Sequence, residues 1–341
     1  MINLSQYRLP YTNVWGWSGM GWCMMRKSVE QIYNRLIAHN IEVVHQALPG
    51  GGTLLLFNYG GKLRAISGVS PDMTGATGRT IANNKYASFV VANQLGIPVP
   101  ETVEYDDVVQ AEAFLAKHGT VVVKPLDAAH GKGVRTGITS NGVLHEFAAK
   151  AKAESDAVLL QQQVSGDDLR VLIIDGKLAA VAQREPAAVV GDGERTISQL
   201  IDHENDTNAL RGVNYEKPLN RIDKQAATDF IGETGLARVP AQGEQVRVVG
   251  TANIGTGGYA INKTNEVPAG LVAHAIRFAD ETRAFVCGVD FLYDTEAGKW
   301  YFIEANSSPN FGLHMWPSVG EPVDVATQFV DALLAVYEAE S

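Results

Sequence analysis

Two carboxylates near the C-terminus, each following an apolar run, constrain this chain more than any other feature. Asp290 stands in Gly288-Val-Asp-Phe-Leu-Tyr-Asp294, and Glu304 in Trp300-Tyr-Phe-Ile-Glu-Ala-Asn306. Each run reads as a strand, and the stretch from Asp294 to Gly298 between them reads as a turn. Pairing the strands brings the oxygens of Asp290, Glu304 and Asn306 to one end of a sheet. Hard divalent cations such as Mg²⁺ take that ligand set, commonly shared with nucleotide phosphates. Read alone, the same segment is also a hairpin flanked by two surface acids.

A second cluster lies upstream. Val121-Val-Val-Lys-Pro125 is a β-branched run ending in a lysine, and His130-Gly-Lys-Gly-Val134 follows it. Glycines let a loop close over a ligand with its N–H groups facing phosphate oxygens, and lysine adds a point charge. The loop is not a P-loop. Gly133 follows Lys132 where a P-loop has Ser or Thr, and Leu126 occupies the position five residues before Gly131. Gly19-Met-Gly21 likewise lacks the third glycine of a dinucleotide fingerprint, since Met24 stands there. Gly131-Lys-Gly133 alone is a solvated turn. A strand lysine, then a glycine loop, then a carboxylate/amide cluster is far more specific.

In that order the segments from about Asn84 to Leu334 resemble an ATP-grasp ligase. They are most similar to the ATP-grasp domain of cyanophycin synthetase and of bifunctional glutathione synthetase. The resemblance rests on Val123-Lys-Pro-Leu-Asp127, His130-Gly-Lys-Gly-Val134, Gly166-Asp-Asp-Leu-Arg170, Val190-Gly-Asp-Gly193 with Thr196-Ile197 and Leu200-Ile-Asp202, Thr251-Ala-Asn253 with Thr256-Gly-Gly258, and Glu304-Ala-Asn306 with Pro309. It implies an α+β fold: two α+β lobes clasping ATP, here preceded by a small α/β lobe. The domains expected are 1–82 as that N-terminal lobe, 83–163 as the small grasp lobe and 164–341 as the large lobe with metal and substrate site.

The resemblance also implies a reaction and roles. ATP phosphorylates a carboxylate, an amine (of an amino acid or peptide) attacks the acyl phosphate, and an amide, ADP and phosphate leave. Lys85 and Lys124 match lysines on the ATP phosphates, with His130, Gly131, Lys132 and Gly133 in the loop above them. Gln161, Gln162, Gln163 and Val164 match the adenine hinge, and Asp168 lies with the nucleotide-binding residues. Arg184 and Arg170 match arginines near the transferring phosphoryl group, which suits a guanidinium fork. Asn253 matches a loop near the acceptor carboxylate, where an amide or N–H groups stabilise an oxyanion. Asp290, Glu304 and Asn306 match ligands of two Mg²⁺ ions, for which Mn²⁺ can substitute. Competing readings from the residues stay open: Lys85 as a solvated helix residue, Arg170 in an ion pair with Asp167 or Asp168, and His130 and His314 as loop residues making ordinary hydrogen bonds.

The chain departs from these families in places. About 80 residues precede the grasp core, with neither a glutamate–cysteine ligase half nor a Mur-ligase-like half. After Pro309, Asn310-Phe-Gly312 stands where cyanophycin synthetases have a Gly-Leu-Arg-type run. That removes an arginine contact to an acidic substrate or peptide carboxylate. A stand-alone amino-acid or peptide ligase is expected, with a nucleotide-binding regulatory protein of the same fold as the alternative. A step stopping at an acyl phosphate or thioester is a narrower variant.

Composition sets outer limits. The 341 residues suffice for a full core and two to three domains. A net charge of −10 argues against nucleic acid or anionic membrane as partners. No apolar run approaches the ~20 residues of a membrane span, and no signal peptide opens the chain. Cys23 and Cys287 read as free thiols in a reducing cytoplasm. A homodimer follows by family analogy.

Periodicity places the elements. Val29, Ile32, Tyr33, Leu36 and Ile37 mark a helix face, and 41–44 and 53–57 read as strands with a turn at Asn58-Tyr-Gly-Gly61. Helices are expected over 83–95, 106–117 and 142–153, and strands over 120–124, 134–138 and 157–163. Residues 169–174 and 177–184 form a hairpin about Asp175-Gly176. Ala326, Phe329, Val330, Leu333, Leu334 and Tyr337 form the apolar face of a closing helix. Trp15-Gly-Trp-Ser-Gly-Met-Gly-Trp22 reads as packing against the first lobe rather than as a pocket loop.

Overall fold

The structure, a computed structural model, describes residues 26–48, 51–125, 133–155, 157–213, 217 and 219–340. The Trp15–Trp22 segment, Cys23, His130, Gly131 and Lys132 lie outside the described residues.

The first lobe is α1 (Lys27–Ala38) against an antiparallel sheet in the order β1 (Val43–Ala47), β2 (Thr53–Tyr59), β3 (Lys62–Ser67) and β4 (Ser70–Pro71), followed by α2 (Ala76–Asn83). The β2–β3 turn is tighter than expected. Tyr59 pairs with Lys62, and Gly60 and Gly61 take φ of 58° and 74°, which only glycine adopts freely. Ile37 does not share the buried face of α1; it is 44% exposed, while Val29, Ile32 and Leu36 are buried.

The helix expected over 83–95 is α3 (Lys85–Gln94), and only Asn83 belongs to the preceding α2. Asn84 is extended, and its side chain accepts from Ala87 N–H at 2.8 Å, so it caps α3 (Lys85–Gln94) instead of continuing α2. Then come β5 (Thr102–Glu104), α4 (Val108–His118), β6 (Val121–Pro125), β7 (Arg135–Ile138), α5 (Asn141–Glu154) and β8 (Val158–Gln162). The strands form one sheet in the order β5-β8-β6-β7. Val121 and Val123 of β6 and Val158 and Leu160 of β8 face α4 and α5 in one apolar cluster. Strand alternation therefore puts Lys124 and Gln161 on the opposite face.

The remaining chain builds a five-stranded antiparallel sheet and a side unit. β9 (Asp167–Ile174) and β10 (Lys177–Glu185) form the expected hairpin. The side unit is β11 (Ala188–Val190), α6 (Ile197–Thr207), β12 (Arg211–Gly212), β13 (Leu219–Asn220), α7 (Lys224–Leu236) and β14 (Gln245–Arg247), with its own apolar cluster. Next are β15 (Tyr259–Asn262), α8 (Ala269–Glu281), β16 (Val286–Asp294), β17 (Lys299–Asn306), α9 (Gly312–Met315) and α10 (Val325–Ala339). The large sheet runs β15-β10-β9-β16-β17.

Register sorts the two faces of this sheet. Leu169, Val171 and Ile173 of β9 point with Cys287, Val289 and Phe291 into a core closed by α8. Leu172, Ile174, Ala180 and Val286 point the other way, into a core shared by α1, β2 and α10. The expected apolar face of α10 is buried throughout. Beyond that core, the same face carries the charged residues. No described helix is long and apolar enough to cross a membrane.

Candidate active site

Cross-strand pairing explains how distant residues share one surface. Asn262, Ala182, Arg170, Asp290 and Glu304 lie opposite one another across β15, β10, β9, β16 and β17, and directly opposed residues point to one face. The adjacent row holds Ala260, Arg184, Asp168 and Leu292, and a third holds Leu172, Gly288 and Asn306. The structure thus gathers Arg170, Arg184, Asp168, Asp290, Glu304 and Asn306 on one side. Asp290 sits mid-strand, so these groups occupy the face of the sheet and not its end.

Asp290 is 1% exposed and held by two guanidiniums. Arg170 Nε donates to its Oδ1 and Nη2 to its Oδ2 at 2.6 Å, while Arg184 Nη2 lies 2.9 Å from Oδ2. Arg184 also donates to Asp168 from Nε at 3.1 Å and Nη2 at 2.5 Å. The anticipated partners of Arg170, Asp167 or Asp168, are therefore replaced by Asp290, directly across the strand pair. Asp168 pairs with Arg184 instead. Burial would raise the Asp290 carboxyl, but Arg170 and then Arg184 outweigh it and hold the group below the usual carboxylate range. Asp168 moves the other way, because burial outweighs the pull of Arg184 and the charge of Asp290 adds to the rise.

The small sheet faces this surface with Lys124. Its Nζ donates to Gln161 Oε1 at 3.1 Å, and Gln161 Nε2 donates to Thr102 Oγ1 at 2.8 Å. Burial first and the neighbouring Lys85 second bring Lys124 down to about 8, while Glu304 opposes the shift. Lys85 Nζ lies 3.8 Å from Glu304 Oε2. Lys85 is thus the first residue of α3, beside the carboxylate cluster, and not merely a solvated helix position. Of the hinge residues, Gln162 N–H donates to Glu101 O and Gln163 N–H to Thr120 O. The Gln163 side chain accepts from Gly137 N–H at 2.5 Å, and Val164 leads into β9. Gly133 stands just before β7 with φ 71°.

The loop before β15 comes next to Arg184. Asn253 Oδ1 accepts from Gly255 N–H at 2.8 Å and starts a 3₁₀ turn over Ile254–Thr256. Gly257 and Gly258 are obligatory there. Added Cβ atoms would lie 2.5 Å from Ile222 Cα and 2.7 Å from Glu185 O. Arg211 supports the turn from behind, donating to Gly257 O at 2.9 Å and Asn220 O at 2.8 Å while paired with Glu204. Sequence reasoning missed Arg211, which sits outside every recognised segment.

The last wall follows β17. Asn306 Oδ1 accepts from Ser308 N–H at 2.8 Å, and Ser307 pairs with Asn83. Ser28, at the start of α1, donates to Asn310 Oδ1 at 3.1 Å and accepts from Phe311 N–H at 3.1 Å. His314 was expected to make ordinary loop hydrogen bonds. It is instead 2% exposed in α9, and neither ring nitrogen has a partner among the described residues. Cys287 lies in the core on the opposite face, and burial pushes its thiol up to about 12.

Asp290, Glu304 and Asn306 offer oxygens only, which suits Mg²⁺ rather than a softer metal. The described residues hold no group of three His, Cys, Asp or Glu fit for a metal. Any cation would therefore use the Asn306 amide and nucleotide oxygens beside the two acids.

Comparison with known proteins accords with this geometry. Residues 90–194 match the family model for the prokaryotic glutathione synthetase ATP-grasp domain. Cyanophycin synthetase of Geminocystis herdmanii is 32% identical over 294 residues, covering 82% of this chain and 33% of that protein. The bifunctional glutathione biosynthesis protein of Listeria innocua is 29% identical over 321 residues, covering 91% of this chain and 41% of its own length. The crystal structure of a bifunctional glutathione synthetase from Pasteurella multocida superposes with a TM-score of 0.68 at 25% identity, over 92% of this chain and 44% of that one. The chain spans about a third of the length of the first curated relatives it matches. It contains an ATP-grasp domain.

Proposed function

We propose that this ATP-grasp chain is an ADP-forming ligase that joins a carboxylate to an amine, both from amino acids or peptides, through an acyl phosphate. The observation that carries the reading is the single surface on which Lys85, Lys124, Arg170 and Arg184 surround Asp168, Asp290 and Glu304. Bringing a carboxylate to ATP sets anion against anion, and only converging cations make that approach favourable. These four lie where the small sheet faces the large one, and in this reading they hold the triphosphate.

In this reading residues 83–163 form the small lobe, 164–341 the large lobe with metal and substrate site, and 1–82 the N-terminal lobe that precedes them. Lys85 and Lys124 hold phosphate oxygens, with residues 130–133 as the glycine loop, and Gln161–Val164 receive the adenine. Arg184 and Arg170 hold the phosphoryl group in transit and the acyl phosphate, and Asp168 orients Arg184. The Asn253 turn, stiffened by Arg211, faces the tetrahedral centre. Asp290, Glu304 and Asn306 would hold Mg²⁺, which supplies positive charge between the phosphates. A cytoplasmic homodimer is the setting we assign by analogy with the relatives.

The clasp of Arg170 and Arg184 on Asp290 is the one feature that favours a non-catalytic nucleotide-binding protein, since it occupies a presumed ligand. Phosphate release from Mg-ATP, measured across a matrix of amino acids and dipeptides with mass detection, separates the two. A pair-dependent release with a product at the summed mass minus water is expected. ATP binding without release for any pair would overturn the ligase reading.

A further inference from the structure

We propose that Gln161 is a positioning residue for Lys124: its side-chain amide, locked from behind by Thr102, aims the ammonium at the nucleotide phosphates without neutralising it. The inference deepens the reading of Lys124 as a phosphate ligand and rests on it. Strand register brings the three side chains together. Gln161 of β8 lies directly opposite Thr102 of β5 on one side and Val122 of β6 on the other. Lys124 stands two residues beyond Val122, so it is the diagonal neighbour of Gln161 on the same face of the sheet. Gln161 is 8% exposed, whereas Lys124 is half-buried. The amide sits deeper, and Lys124 is the more open of the two to a ligand.

Donor and acceptor chemistry fixes which way the amide points. An ammonium only donates, so the Gln161 atom that meets Lys124 Nζ at 3.1 Å is Oε1. Nε2 then donates to Thr102 Oγ1 at 2.8 Å, and the Thr102 hydroxyl gives its own hydrogen to Pro100 O at 3.0 Å. A flipped amide would set its N–H groups against the ammonium and its oxygen against a hydroxyl whose hydrogen is already engaged. One orientation is therefore enforced at both ends.

The neutrality of that partner decides what the ammonium can do. A carboxylate at 161 would cancel the charge, whereas an amide holds the group in place and leaves its charge whole. Gln161 takes one donor of Lys124, and an ammonium has more to offer. Two charged groups face Lys124 from other elements: Lys85 of α3 repels it and Glu304 of β17 attracts it. Those two approach each other to 3.8 Å, so Glu304 is shared with a second cation. A buried ammonium held by a neutral amide beside another lysine is a poor device for stability, because no dedicated counter-charge offsets its desolvation. It is a suitable device for receiving an anion, and phosphate oxygens provide one.

The test is nucleotide binding by the full chain, measured by calorimetry with Mg-ATP and with adenosine. Gln161→Leu should weaken ATP binding about tenfold and leave adenosine within about twofold. In the Lys124→Met background the same substitution should change ATP affinity by less than about twofold, because the amide acts through the ammonium. Gln161→Glu keeps an acceptor and adds a charge. It should restore part of the ATP affinity and move the alkaline fall of ATP binding to higher pH than in the wild type. Unchanged ATP affinity in folded Gln161→Leu would overturn the proposal. So would an equal loss in the Lys124→Met background, a parallel loss of adenosine, or an unmoved alkaline fall in Gln161→Glu. Should Gln161→Leu fail to fold, Thr102→Val, which removes the acceptor behind the amide, takes its place in the same cycle with an expected loss of about threefold. ATP binding without ligation of any pair would sink the ligase reading and leave this test intact. No ATP binding by the wild type would remove the phosphate role of Lys124 and the proposal with it.

Discussion

Lys124 and Glu304 face each other across the two sheets, and their charges make opposite predictions about pH and turnover. Lys124 is lowered from 10.5 to about 8, chiefly by burial. Below about pH 8 both folded and unfolded chains hold this proton, and the fold bears the cost of a buried charge. Between 8 and 10.5 the unfolded chain holds more protons, so Lys124 contributes stability as pH rises. Nucleotide binding should run the other way. Phosphates need the ammonium, so ATP affinity should fall as pH rises through about 8, with proton uptake on binding in calorimetry across buffers of different ionisation enthalpy. Lys124→Met should weaken ATP binding roughly tenfold to a hundredfold, and unchanged affinity would refute its phosphate role. Glu304→Gln should lose about 10²–10³ in kcat with an unchanged circular dichroism spectrum, and near-normal turnover would refute its assignment as a ligand. At this scale the sequence was informative for charge and uninformative for partners. Asp290 was legible as an acid ending an apolar run. That Arg170, 120 positions away, would clasp it depended on strand register.

Elements obey the same division. The β9–β10 hairpin was readable because Asp175 and Gly176 take φ of 50° and 66° between alternating runs. The helix α2 (Ala76–Asn83) was not read, and the Asn84 side chain that caps α3 is a single contact that periodicity does not register. The β11–α6–α7–β14 unit also escaped, since its segments were recognised only as motifs. Register itself yields a prediction at Gly288. A Cβ there would lie 2.9 Å from both Arg170 Cδ and Pro309 Cβ. Gly288→Ala should cost about 1–3 kcal/mol by overpacking and should disturb the Arg170 clasp. The expected signs are a lower denaturation midpoint together with a loss in kcat/KM; a midpoint change alone would show that Arg170 absorbs the methyl harmlessly.

For the whole molecule, the first lobe is fastened to the large lobe through α10. Tyr337 is fully buried, donates to Asp72 Oδ1 at 2.6 Å and lies under the Arg64 guanidinium at 3.8 Å. Tyr337→Ala should cost roughly 3–5 kcal/mol by analogy with other aromatic truncations. It should also lower the unfolding midpoint of both lobes together. Separate transitions in calorimetry would contradict a shared core. The apolar face of α10 was legible, whereas its pairing with the first lobe was not, because docking follows tertiary packing.

The central claim is that the clustered cations bring a carboxylate to the γ-phosphate of ATP. The direct measurement is oxygen transfer from an ¹⁸O-labelled carboxylate substrate during turnover with Mg-ATP and the amine. Phosphate carrying one ¹⁸O for each amide formed is predicted, because the acyl phosphate leaves one carboxylate oxygen on phosphorus. Amide formation with unlabelled phosphate would contradict an acyl phosphate and the roles assigned to Arg170 and Arg184.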